Sequence, residues 1–326
     1  MDRKQLQELL APVEKDLSRF DKITDKVLQA ESSLIANIVK HLLQKKGKRI
    51  RPAISFMVSR AAGIDHPKMV DAALAIELIH IATLLHDDVV DESDTRRGQE
   101  SVNHKWNNLV SVLMGDFFFA KAFRLLVETE STELVRQVSL ATEKVAFGEL
   151  RQIEETYNWE LDENEYYNII RDKTASLFSV SSASCSILHN NEKKRVREFS
   201  NFGEWIGKAF QITDDILDLV GDISKIGKNV GLDLLQGKVT LPLIYTLKQS
   251  PKEDVDNILG ILNNGLNQRG LKKIVKFINE CGGIEYARKK ASYLGNQSLE
   301  FISEFPRSRY RESLENLINF TINRDN

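Results

Sequence analysis

Two matched clusters of aspartates are the chemically loudest feature of the chain. Residues 84–98 read LLHDDVVDESDTRRG and residues 211–222 read QITDDILDLVGD, each with a DDxxD at its centre. Residues four apart share a helix face, so Asp87 and Asp91 align with Asp88 beside them, and Asp214, Asp215 and Asp218 repeat the arrangement. The segments before the clusters, AALAIELIHIATLL and IGKAFQI, are largely apolar. Carboxylates held there without a cation would be very costly. Oxygen donors without His or Cys suit a hard cation, and Mg²⁺ keeps several waters and bridges to substrate phosphates. A single DDxxD fits a solvated helix face or an N-terminal cap equally well; two in matching apolar settings favour a metal site that grips one diphosphate across a helical bundle. Neither stretch has the loop and position-12 glutamate of an EF-hand. His86-Asp87 matches the HD pair of metal phosphohydrolases, but the other histidines stand in unsuitable places.

Basic residues complete the chemistry. Lys45, Lys46, Lys48, Arg49 and Arg51 cluster in KKGKRIRP, and Arg96-Arg97 follow the first acidic run. Taken alone either run reads as solvated surface; beside metal-binding carboxylates they read as phosphate ligands through charge-assisted hydrogen bonds. No Ser/His/Asp or Cys/His constellation accompanies them.

The elements that must position these groups read as helices throughout. The chain has 326 residues, 42% hydrophobic and 28% charged, with 6 prolines and 17 glycines. Helical periodicity predicts helices over 3–20 with a kink at Pro12, 28–45, the segment SFMVSRAAG, 68–92, around GDFFFAKAFRLLV, and over 131–157, 163–189, 193–220 and 239–249. Four more follow at 253–264, 267–280, 284–304 and 308–322. Strand alternation is nearly absent, and no linker or repeat divides the chain. The expectation is one all-α domain over 1–326. A net charge of −2 gives no basic field for nucleic acid. Cys185 and Cys281 fit no metal or disulfide pattern, which points to a reducing, cytoplasmic compartment. No signal peptide and no membrane span are expected.

Taken in order, the motifs resemble the trans-isoprenyl diphosphate synthases, the polyprenyl synthetase family, over roughly residues 25–325. KGKRIRP looks like the family's GGKRxRP, with Lys46 where a glycine is usual. ELIHIATLLHDDVVDESDTRRG, MGDFFFAKA, GELRQ at 148–152, DKTASLF at 172–178, FQITDDILDLVGD and GLDLLQGKVTLPL all fall in the family's order. The resemblance implies an isoprenoid-synthase (class I terpenoid synthase) helical bundle around a central cavity, usually a homodimer, using Mg²⁺. It implies that Asp87, Asp88, Asp91, Asp214, Asp215 and Asp218 hold three Mg²⁺ against an allylic diphosphate primer, farnesyl or geranyl diphosphate. Arg96, Lys173, Lys228 and Lys238 would contact that diphosphate; Lys48, Arg51, His80 and Arg97 would bind isopentenyl diphosphate. Thr174 would lie in the substrate site, and Gln211 near the developing cation.

Product length should depend on what lies upstream of Asp87. One helical turn rises about 5.4 Å, close to one extended isoprene unit. One turn back stand Ala82 and Thr83, both small, where short-chain relatives commonly carry an aromatic. Ile79 and Ile76 follow, and Phe117, Phe118 and Phe119 on the next helix offer a lining or a cap. The tail INFTINRDN also resembles long-chain members. The expectation is a long-chain polyprenyl diphosphate synthase serving a quinone side chain. Geranylgeranyl or farnesyl diphosphate synthase is the runner-up, and a class I terpene cyclase or a silent partner subunit fits less well because both aspartate motifs are intact.

Overall fold

Pro12 breaks the opening helix instead of kinking it. The computed structural model, which describes residues 3–44, 47–96, 98–220 and 231–324, has α1 at Arg3–Leu10, a 3₁₀ turn at Ala11–Val13 and α2 at Glu14–Val27. The missing proline N–H removes one rung of the ladder, and the chain restarts. There follow α3 (Ser33–Gln44), α4 (Ile50–Ala61) and the 22-residue α5 (Met69–Val90). A two-residue antiparallel hairpin, β1 (Thr95–Arg96) against β2 (Gln99–Glu100), interrupts the expected loop. Next come α6 (Val102–Lys105), α7 (Asn108–Glu128), α8 (Thr132–Glu154) and α9 (Glu163–Ile170).

The helix expected over 163–189 is present, with a π turn at Arg171–Ala175 inside it between α9 and α10 (Ser176–His189). The C-terminal part holds α11 (Lys193–Val220), α12 (Leu232–Leu235), α13 (Leu241–Gln249), α14 (Lys252–Asn263), α15 (Gln268–Glu280), α16 (Gly283–Ser303) and α17 (Arg309–Ile322). Polar caps fix several starts. The side chains of Asn107, Ser131, Asp162, Asn267 and Ser308 each accept a hydrogen bond from a backbone N–H of the first turn they precede.

The bundle is organised around α5. Residues 72–79 are buried without a break, because α7, α4 and α10 pack around it. By length and composition alone α5 is long and apolar enough to cross a membrane. Its apolar surface is instead explained by neighbours on every side. The core forms two clusters, one around α4, α5, α7 and α10, the other around α9 and α13–α16. α11 joins them, with Ile206 in the first and Ile212 in the second.

Candidate active site

Both aspartate motifs sit at the C-terminal ends of their helices. Asp87 and Asp88 fall in the last turn of α5 and Asp91 caps it; Asp214, Asp215 and Asp218 fall in the last two described turns of α11. That removes the N-terminal cap as an explanation. Negative charge at the negative end of a helix dipole is disfavoured, so these carboxylates require cations.

A cavity of about 470 Å³ lies between the two ends. Asp87, Asp91 and Asp214 line it, facing Lys48, Arg51, His80, Arg96, Lys173, Thr174 and Gln211. Its apolar wall includes Val145, Leu177, Phe178 and Phe210. The Arg51 guanidinium stands 4.5 Å from the centroid of the Phe178 ring, within cation–π range of that wall.

The other three aspartates serve as braces. Asp88 is 4% exposed and accepts from Arg96 Nη1 at 2.7 Å; it lines a neighbouring, mostly apolar cavity together with Phe118 and Arg96. Asp215 accepts from the Tyr166 hydroxyl at 2.6 Å and from Gln211 Nε2 at 2.8 Å, and Thr174 Oγ1 donates to Gln211 Oε1 at 2.7 Å. Thr174, Gln211 and Asp215 thus form one chain anchored by a buried tyrosine. Asp218 accepts from the backbone N–H groups of Leu232 and Asp233 at 3.2 and 3.1 Å, so it caps α12 from a distance. Lys238 comes from beyond α12 to meet Asp91 at 3.5 Å, tying the second region to the first. Arg97 and Lys228, expected among the diphosphate ligands, lie outside the described residues.

Lys173 owes its place to the π turn. The extra residue per turn pushes it outward, a common device at functional sites. Its ammonium lies 2.6 Å from Glu149 Oε2 and 2.5 Å from Gln152 Oε1, both on α8. Burial works against its charge, but Glu149 outweighs it and the pKa is raised. α8 approaches this turn through Gly148, where an added Cβ would stand 2.4 Å from the Lys173 backbone nitrogen. Gly148→Ala is therefore expected to cost about 1–3 kcal/mol of stability through overpacking, read in denaturant unfolding. A cost below a few tenths of a kcal/mol would show that the approach is not tight.

The electrostatics explain why the site wants a metal. Burial first, then the nearby Glu149, raises Asp87 to about 7, with Lys173 and Arg96 opposing. Burial and Asp233 also raise Asp215, against the hydrogen bonds from Tyr166 and Gln211. For Asp87 the folded pKa lies above the free value of 3.8, so its contribution to stability is present below that value and is lost as pH rises through about 7. A cation that needs the carboxylate must expel its proton. Metal uptake is expected to release close to one proton from Asp87 at pH 6 and little at pH 8. Calorimetry in buffers of different ionisation heat checks this, and equal release at both pH values would contradict it.

Among the described residues no three His, Cys, Asp or Glu side chains form a ready-made metal cage. The oxygen-only donor set of Asp87, Asp91 and Asp214, open between two helix ends, fits a hard cation that completes its shell with water and phosphate oxygens. Of the positions expected to bear on product length, Thr83 lines the cavity; Ala82, Ile79 and Ile76 are buried in the core. Phe117 packs edge-on to Phe118 with the Lys121 ammonium 5.1 Å over its ring. Sequence reasoning did not assign Glu149, Gln152, Tyr166, Phe210, Asp233 or Arg324. The GELRQ motif held the signal for the first two, since Glu149 and Gln152 are three apart and share a face.

The polyprenyl synthetase family model matches residues 32–278. The chain belongs to the polyprenyl synthetase family. It is 36% identical over 320 residues to the all-trans-nonaprenyl-diphosphate synthase (geranyl-diphosphate specific) of Rhodobacter capsulatus, covering 98% of each chain. It is 34% identical to the octaprenyl diphosphate synthase of Escherichia coli K12, covering 91% of this chain and 92% of that one. The polyprenyl synthase of Caulobacter crescentus CB15, solved with calcium and isoprenyl diphosphate, superposes with a TM-score of 0.91 at 31% identity, covering 98% of each chain. The family members are prenyltransferases, and the all-helical isoprenoid-synthase fold expected from the motifs is the fold found.

Proposed function

We propose that this protein condenses isopentenyl diphosphate head-to-tail with an allylic diphosphate, farnesyl or geranyl diphosphate as primer, to build an all-trans long-chain polyprenyl diphosphate for a quinone side chain. One observation carries the reading: carboxylates from two helix ends and a ring of Lys and Arg side chains converge on a single cavity with an apolar wall. The similarity to a nonaprenyl synthase along the whole chain supports the long product.

The residues then have defined work. Lys173, Lys238 and Arg96 receive the oxygens of the allylic diphosphate, and Lys48, Arg51 and His80 hold isopentenyl diphosphate, with Arg97 and Lys228 as further ligands. Mg²⁺, three ions in the full complement held by the two aspartate motifs, would supply positive charge that stabilises the departing diphosphate. The allylic C–O bond breaks, and the electron pair leaves with the diphosphate. The double bond of isopentenyl diphosphate attacks the allylic carbocation, and the resulting cation loses a proton to the released diphosphate. Thr174 and Gln211 line the cavity wall, where Gln211 would lie near the developing cation. Phe178, Phe210, Leu177 and Val145 keep water from quenching the cation. Metal-stripped protein should incorporate no labelled isopentenyl diphosphate, and restored Mg²⁺ should recover incorporation; equal incorporation in both would refute the reading.

We further propose a homodimer in the cytoplasm. The two cysteines are free, which suits a reducing compartment. Leu109, Leu113 and Val127 of α7 and Phe147, Leu150 and Ile153 of α8 are each at least half exposed. Apolar side chains this exposed on two successive helices suit a second copy of the same surface. Leu113→Glu combined with Leu150→Glu is expected to halve the mass measured by sedimentation equilibrium; an unchanged mass would place the partner elsewhere.

A further inference from the structure

The second aspartate motif already has a cation on it, and that cation comes from the end of α17. The helix is fastened as far as Ile322: Leu314, Leu317, Ile318 and Thr321 are buried, and Ile322 packs against Gly295, where an added Cβ would come within 2.6 Å of it. Two residues later Arg324 turns into the site. Its guanidinium forms an ion pair with Asp214 and lies 5.3 Å from the centroid of the Phe210 ring. Asp214 and Phe210 both line the diphosphate cavity. The arginine side chain is 8% exposed, whereas Asp214 remains 40% exposed. The contact is incompletely satisfied: Arg324 Nε is buried without a hydrogen-bond partner. Burial lowers the guanidinium to about 10, which leaves it charged at neutral pH.

We propose that Arg324 is a displaceable counter-ion for Asp214, a positioning residue that holds this carboxylate in the metal-free protein and must swing out before a divalent cation can reach it. The inference rests on the metal reading of Asp87, Asp91 and Asp214. A guanidinium seated on the carboxylate and a divalent cation seated on it exclude each other, so the two bind in competition. Arg324 lies just beyond the last helical residue, Ile322, so its departure loosens only the final turn of α17, which the Asn323 N–H closes on Asn319 O. The consequence has an unusual sign. Removing a ligand or a structural brace weakens metal binding; removing a competing cation strengthens it.

Mn²⁺ titration of the substrate-free protein, followed by the electron paramagnetic resonance of the free ion, reads this sign. Arg324→Gln is expected to bind Mn²⁺ roughly three- to tenfold more tightly than the unaltered protein, Arg324→Lys much like it, and Asp214→Asn more weakly. In the unaltered protein, hydrogen exchange of a peptide spanning 317–324 should quicken when Mn²⁺ and inorganic diphosphate are added, a readout that needs no variant to fold. Unchanged or weaker Mn²⁺ binding by Arg324→Gln, or tail exchange unmoved at saturating Mn²⁺ and diphosphate, would overturn the proposal. If Asp214→Asn still loses affinity in that case, the metal reading survives alone; if Asp214→Asn binds Mn²⁺ as well as the unaltered protein, both fall.

Discussion

Asp87→Asn lowers kcat by roughly 10³-fold, the scale seen when a preorganised charge-stabilising group is removed from an active site. Asp87 lines the cavity between the two motifs, and burial and the nearby Glu149 resist the ionisation of its carboxylate. The amide keeps the shape and fills the same space, so the fold is retained and unfolding midpoints stay close. What it removes is the anionic ligand that brings a cation to the leaving diphosphate. Steady-state incorporation of labelled isopentenyl diphosphate, with circular dichroism as the folding control, measures the effect. Turnover within tenfold of the unaltered protein would remove Asp87 from the ionisation step.

The second large effect concerns product length, and there the structure separates two residues that look equivalent in sequence. Thr83 lines the cavity, while Ala82 is completely enclosed in the core. A phenylalanine at 83 would stand one helical turn from Asp87, about 5.4 Å along the path of the growing chain. Thr83→Phe is therefore expected to shift the product from long chains to farnesyl or geranylgeranyl diphosphate with turnover largely kept. The same change at Ala82 drives a large ring into a filled core and is expected to cost about 1–3 kcal/mol or more of stability instead. Chromatography of the dephosphorylated products against polyprenol standards decides the first. An unchanged length distribution in Thr83→Phe would put the floor elsewhere.

The difference between Ala82 and Thr83 shows where the sequence stops being readable. The long helices, the two aspartate clusters and the basic runs are visible in the sequence, because helical periodicity and ordered motifs survive in one dimension. α5 is apolar on every side, so its pattern does not tell which of two adjacent small residues meets the cavity. The same ambiguity covers the aspartates. Spacing put Asp87, Asp88 and Asp91 together, yet Asp88 turns to Arg96 and Asp218 caps a helix that the periodicity did not reveal. The π turn that presents Lys173 packs closely on Gly148 of α8, and tertiary packing of that kind leaves no local signature. Arg324 lay in a tail recognisable only by its likeness to long-chain relatives. Its contact with Asp214 spans more than a hundred residues of sequence and appears only once α11 and α17 are placed.

The most direct measurement incubates purified protein with Mg²⁺, farnesyl diphosphate and labelled isopentenyl diphosphate, then determines the carbon number of the product. The account predicts an all-trans polyprenyl diphosphate well beyond geranylgeranyl length. No elongation under these conditions, or a cyclised hydrocarbon formed from farnesyl diphosphate alone, would contradict it.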